Sequence, residues 1–125
     1  MLGTSQIKNV AIVFMVKDLT RAQTFYREVL DIPLERQEGD FLQVNLPSGV
    51  ELLFFEGEAT VGTSPQLVFG LEKGGIDNVV DAFAARGVTI VTPVSEAPGG
   101  WSADFRDPDG HQLALFQDGA LPRRL

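Results

Sequence analysis

A chain of 125 residues has the length of one compact domain, and its 44% hydrophobic content can bury a core, which sets aside disordered and fibrous classes. A formal net charge of −7 without a Lys/Arg cluster argues against a nucleic-acid partner, and zero cysteines exclude disulfides, thiolate metal sites and thiol nucleophiles. No apolar run approaches the roughly 20 residues of a membrane span, and Met1 to Gln6 lack a basic-then-apolar signal pattern, so the expectation is a cytoplasmic protein without membrane contact.

Ile7 to Val16 is almost wholly apolar and suits a central strand covered on both faces. Asp18 and Thr20 then offer two helix N-caps, Thr20-x-x-Gln23 fitting a capping box. Leu19, Ala22, Phe25, Tyr26, Val29 and Leu30 recur at helical spacing, which predicts one stripe packed on a sheet, and Pro33 stops the helix. Leu34 to Arg36, Phe41 to Leu46 and Val50 to Phe55 read as strands, separated by turns at Glu38-Gly39-Asp40 and Pro47-Ser48-Gly49. The first module is β-α-β-β-β over about residues 6–56. Gly57 to Pro65, small and polar, reads as a linker.

The second module, over about residues 65–117, repeats the plan. Leu67 to Leu71 is a short strand; Ile76, Val79, Val80, Phe83 and Ala84 mark a helix face, with Gly87 as its left-handed stop. Val88 to Val91 is a strand ended by Pro93, and Ser95 to Gly100 reads as a loop. Asp107-Pro108-Asp109-Gly110 has type I turn chemistry between two apolar runs, so it closes a hairpin. The earlier Pro47-Ser48-Gly49 turn is a fainter copy of it. The tail from Asp118 to Leu125 receives no role.

Two β-α-β-β-β modules in residues 1–125 give an α+β domain, in which a curved mixed sheet surrounds a cleft and the helices lie outside. Strand alternation then turns Ala11, Val13, Met15, Leu53, Phe55, Gln66, Val68, Ala114 and Phe116 inward, with Glu51 as the one charge. An apolar, aromatic-lined cleft suits a small hydrophobic or planar ligand. No Cys is present and no Ser or Thr stands beside a His at an inward position, so a nucleophile–base pair has no support.

These residues resemble a known family. Val16-Lys17-Asp18-Leu19, Phe25-Tyr26-Arg27-Glu28-Val29-Leu30, the paired modules and Phe105-Arg106-Asp107-Pro108-Asp109-Gly110-His111 are similar to the vicinal oxygen chelate superfamily of glyoxalases, bleomycin- and fosfomycin-resistance proteins and extradiol dioxygenases. The resemblance covers Ile7 to Gln117 and implies the fold more than a reaction. Catalytic members hold a metal with His, Glu or Gln on the first and last strands of each module. Here those positions fall on Ala11, Glu51, a residue near Gln66, and Ala114. Alanine has no donor atom, so the expectation is no metal and no cofactor. The resemblance also implies a homodimer.

Glu51 reads either as a cavity carboxylate that binds a cation or acts as general base, or as a vestigial ligand now paired or solvated. His111, the sole histidine, reads either as a proton shuttle or, the favoured reading, as a turn-flanking residue whose ring bonds nearby backbone. Trp101 either stacks on a planar ligand at the cleft mouth or packs in the core. The turn accounts for Asp107 and Asp109, Arg106 is a surface charge, and Tyr26 belongs to the helix stripe. The favoured function is metal-independent small-molecule binding of the bleomycin-resistance kind, with Ala11, Val13, Glu51, Leu53, Phe55, Gln66, Val68, Trp101, Ala114 and Phe116 lining the site. A glyoxalase-like lyase or isomerase using Glu51, and an accessory protein with a vestigial cleft, are the alternatives.

Overall fold

The computed structural model describes residues 2–58 and 64–125, so the central part of the expected linker, residues 59–63, lies outside the described residues. Among the described residues two α-helices and eight strands, paired in both parallel and antiparallel senses, make an α+β fold. The chain divides into two compact units. The N-terminal unit is Ala11–Gln66; the C-terminal unit joins Met1–Val10 to Leu67–Leu125. The first strand, β1 (Ile7–Val16), therefore contributes residues to both, and the C-terminal unit reaches beyond the expected end of the second module.

In the N-terminal unit, β1 leads through Asp18 into α1 (Leu19–Glu28). Asp18 is the N-cap: its Oδ1 accepts from the Arg21 backbone N–H at 3.1 Å. Thr20 and Gln23 do not form the alternative box; the Gln23 amide donates instead to the Leu34 carbonyl at 2.9 Å. The helix ends before Pro33, where Asp31 takes a left-handed φ of 56°. Leu19, Ala22 and Tyr26 pack inward, but Phe25, Val29 and Leu30 are 49%, 65% and 48% exposed. The expected stripe was too wide: Val29 is already the C-cap, and Phe25 lies well off the line through positions 19, 22 and 26. Strands β2 (Glu35–Gln37), β3 (Phe41–Asn45) and β4 (Val50–Glu56) follow, in the order β2-β3-β4-β1, with β3 antiparallel to both neighbours. Beneath α1, Leu34, Leu42 and Phe54 are at most 1% exposed. Burying each such side chain is worth about 1.5–3 kcal/mol.

In the C-terminal unit the order is β5-β8-β7-β6, from β5 (Gln66–Leu71), β6 (Ile90–Ala97), β7 (Gly100–Arg106) and β8 (Gln112–Asp118), with α2 (Ile76–Ala85) between β5 and β6. β5 runs parallel to β8; β7 is antiparallel to β8 and β6. The predicted stop at Pro93 does not occur. β6 continues through Pro93 to Ala97, and the expected loop shrinks to the turn at Pro98-Gly99. The reason is position: among the described residues β6 pairs only with β7, and its register shifts between Thr92 and Ser95, so a missing N–H breaks no ladder bond. Gly87 has the expected left-handed φ of 82°.

The tail also departs from expectation, because it is docked on the start of α2. Gly75 and Asp77 N–H groups donate to the Pro122 and Arg123 carbonyls at 2.8 and 3.0 Å, and Ile76 N–H donates to Gln117 Oε1 at 2.9 Å. These are the donors a helix leaves open at its first turn. Gly74 and Gly75 make the approach feasible with φ of 82° and 78°; a Cβ on Gly74 would press on the Pro122 carbonyl.

Candidate functional site

In the N-terminal unit, Ile12, Phe14 and Val16 of β1, Leu42 and Val44 of β3, and Leu52 and Phe54 of β4 join the cluster under α1. Alternation places Ala11, Val13 and Met15, Phe41, Gln43 and Asn45, and Glu51, Leu53 and Phe55 on the other face of the same strands. Except for Ala11, which is 5% exposed, and Asn45, which is exposed, these residues are half-buried. Ala11 belongs to the packing rather than to the accessible surface.

Glu51 is the acidic group that β1, β3 and β4 contribute to this face; on β2 the exposed Glu35 pairs directly with Gln43 and shares it. Glu51 Oε2 accepts a hydrogen bond from Gln43 Nε2 at 2.5 Å. Asn45 stands directly opposite Glu51 in register and Gln43 opposite Leu53, so Gln43 reaches diagonally across the strand pair. Farther along, the Phe41 and Phe55 rings stack with centroids 5.2 Å apart and planes at 24°. The sequence places Phe41 and Gln43 on a strand but not in the site. The signal was present, since both alternate with Leu42 and Val44, but their register against β4 was not.

In the C-terminal unit, Val68 pairs with Ala114 and Gly70 with Phe116. On the opposite side of β8, Asp104 pairs with Ala114 and Ser102 with Phe116. Directly paired residues share a face, so a second carboxylate, Asp104, stands with Val68, Ala114 and Phe116. This corrects the expectation that Glu51 is the one charge among these positions. Ala114 is 4% exposed and is packing like Ala11. Gln66 is the first residue of β5 and is half-buried.

Trp101 is separated from that group. It is half-buried and packs against the cluster that includes Val79, Ala103, Phe105 and Leu115, on the α2 side of β7. The Arg123 guanidinium lies 4.3 Å from its ring centroid, and Arg123 Nε and Nη2 donate to Asp77 Oδ1 at 3.2 and 3.1 Å. This favours core packing for the half-buried Trp101, which shares parity with Ala103 and Phe105, whereas Ser102 and Asp104 face the other way. A groove of about 270 Å³ opens beside it, lined by Asp77, Val80, Asp81, Pro93, Val94, Arg123 and Arg124. Its arginines are paired with its aspartates, Arg124 Nη2 to Asp81 Oδ2 at 2.9 Å.

His111 stays at the turn. Asp107 Oδ1 accepts from the Asp109 and His111 backbone N–H groups at 3.0 and 2.9 Å, and Asp107 Oδ2 lies 2.8 Å from His111 Nδ1. The ring partner is thus a carboxylate rather than the expected backbone group. The His111 backbone N–H holds the Asp107 carboxyl below its ordinary value, outweighing an opposing desolvation with help from the His111 ring and the Asp109 N–H.

The donor set does not fit the metal that the resemblance implies. Ala11 and Ala114 present only methyl groups, and the Glu51 carboxylate is bonded to an amide. Among the described residues no three or more His, Cys, Asp or Glu side chains group as metal ligands. Nor is any described helix long and apolar enough to cross a membrane.

The family model for the glyoxalase/bleomycin resistance protein/dioxygenase superfamily matches residues 8–115. No match was found among curated proteins. Among solved structures, an NAD-dependent benzaldehyde dehydrogenase from Legionella pneumophila is similar at TM-score 0.70 and 20% identity, covering 87% of this chain and 98% of its own. Methylmalonyl-CoA epimerase from Mycobacterium tuberculosis gives 0.67 and 17%, over 94% and 93%. A glyoxalase/bleomycin resistance protein/dioxygenase superfamily member from Vibrio splendidus gives 0.60 and 18%, over 88% and 98%. At these identities the likeness is one of fold.

Proposed function

Because the chain belongs to the glyoxalase/bleomycin resistance protein/dioxygenase superfamily, whose fold serves many chemistries, we infer its function from the site residues: it binds a small hydrophobic molecule without a metal. The observation that carries this is the face of β1, β3 and β4 opposite the α1 cluster, where half-buried Glu51, bonded to Gln43, shares one surface with Val13, Met15 and Leu53 and, farther along, Phe41 and Phe55. An apolar surface with few, placed polar groups is the general form of a small-molecule site. An aromatic pair on the Glu51 face, together with alanine at two of the positions where the family holds metal, favours binding over metal-dependent turnover. As a binder of this superfamily the chain is expected to be a homodimer, which light scattering would report as twice the monomer mass, and a monomer mass would refute.

The test is a thermal-shift screen of planar apolar compounds and divalent metals. A ligand that binds only the native state raises Tm by mass action. The expected result is stabilisation by a subset of compounds, none by metals, and no change with EDTA. A chelator-induced fall in Tm would overturn metal independence; a screen without a stabilising compound would overturn the binding function.

A second reading, a lyase or isomerase with Glu51 as general base, draws on the same carboxylate and on a fold shared with an epimerase. Turnover of a stabilising compound by wild type, abolished in Glu51→Gln, would establish it.

A further inference from the structure

We propose that the ligand of the Glu51 face is an organic monocation carrying a flat apolar group, an arylalkylamine in chemical class, with Glu51 and Gln43 holding its ammonium end and Phe41 and Phe55 its ring. This rests on the small-molecule reading above and adds the charge and shape of the molecule.

Three features lead there. The first is the pairing of Glu51. Gln43 Nε2 occupies Oε2 of the carboxylate, and none of the ion pairs among the described residues includes Glu51. An amide donor orients a carboxylate without neutralising it, so the charge stays on a half-buried apolar face. Such a group favours a cationic partner, and its attraction exceeds that of a fully solvated carboxylate because the local dielectric is lower. The second is the aromatic pair. Phe41 and Phe55 stack at 5.2 Å on the same face and offer flat area to a ring. The third is spacing. Glu51 and Phe55 lie four residues apart on one strand, about 13 Å at the usual strand rise, with Leu53 between them. A molecule with its charge at one end, an aliphatic middle and a ring at the other matches that order. An anion would meet the carboxylate, and a neutral alcohol would lose the charge attraction.

The experiment compares phenylhexylamine with its neutral and anionic counterparts, phenylhexanol and phenylhexanoate, by isothermal titration calorimetry at low and high salt. The expected order is amine over alcohol by about tenfold, with the anion weakest, and the amine advantage shrinking as salt rises. Glu51→Gln should bring amine and alcohol to equal affinity. Phe55→Leu should weaken both by a similar factor and keep their ratio. Glu56→Gln, which makes the same charge change at an exposed position of the same strand, should leave the ratio as in wild type. Circular dichroism confirms folding of each variant.

Equal binding of amine and alcohol by wild type would overturn the cation assignment while leaving small-molecule binding intact. An equal loss in Glu56→Gln and Glu51→Gln would overturn it too, by showing attraction to the net acidic protein rather than to this face. If none of the three probes binds while the wider screen yields other ligands, this proposal fails and the broader function stands.

Discussion

The Glu51 face of the N-terminal unit and the start of α2 in the C-terminal unit both set polar groups among apolar side chains, and they are completed in opposite ways. At α2 the chain closes its own bonds. Gln117, 1% exposed, receives Ile76 N–H and donates its own amide to the Leu121 carbonyl at 2.9 Å. Pro122 and Arg123 carbonyls take the neighbouring N–H groups, Asp77 is held by Arg123 and Arg124, and Arg123 covers Trp101. At Glu51 the Gln43 amide donates to a charged acceptor, and a half-buried aromatic pair lies farther along the same face. A region whose polar groups are all satisfied from within holds the fold together. One whose charge is oriented but not neutralised is where the proposal seats its ligand.

That contrast can be broken by substitution, beginning with the largest effect. Trp101→Ala should destabilise by about 3 kcal/mol, as large-to-small changes in packed sites do, and leave phenylhexylamine affinity unchanged. Lost affinity with intact stability, measured by denaturation and calorimetry together, would move Trp101 to the binding side of the comparison. Gln117→Leu keeps the volume but strands the buried Ile76 N–H, and should cost about 2 kcal/mol, a fall in Tm of several degrees. An unchanged Tm would show that the α2 closure is not a source of stability.

The smallest effect belongs to the Asp107 turn. Its carboxyl ionises more readily folded than unfolded, so its contribution is present above the ordinary carboxylate value and is lost as pH falls through the lowered one. Asp107→Asn should therefore lower Tm slightly at neutral pH, and the gap from wild type should close in acid. A gap that widens in acid would contradict the bonding seen at this turn.

Much of the architecture was legible from period and punctuation. β1 runs Ile7–Val16 as its apolar run predicted, and Asp107-Pro108-Asp109-Gly110 forms its turn, with Gly110 N–H donating to the Asp107 carbonyl at 3.0 Å. Alternation along β4 correctly put Glu51, Leu53 and Phe55 together. What escaped depends on partners distant in the chain. Pro93 reads as a strand end unless β6 is known to be an edge. Gln43 gains its role from the β3–β4 register, and the tail gains its own from the open N–H groups of α2. Trp101 is a different case, because Ser102, Asp104 and Arg106 already alternate with Trp101, Ala103 and Phe105, and that pattern shows its face. None of these patterns encodes a ligand, which is why the site was legible as a surface and not as a chemistry.

Amide chemical-shift mapping during a phenylhexylamine titration tests the central claim most directly, because it observes both regions at once. The account predicts shifts concentrated at Phe41–Asn45 and Val50–Phe55, with Gly75–Asp77 and the Trp101 indole N–H unmoved. Shifts centred on Trp101, Arg123 and the start of α2, with Phe41 to Phe55 silent, would contradict it.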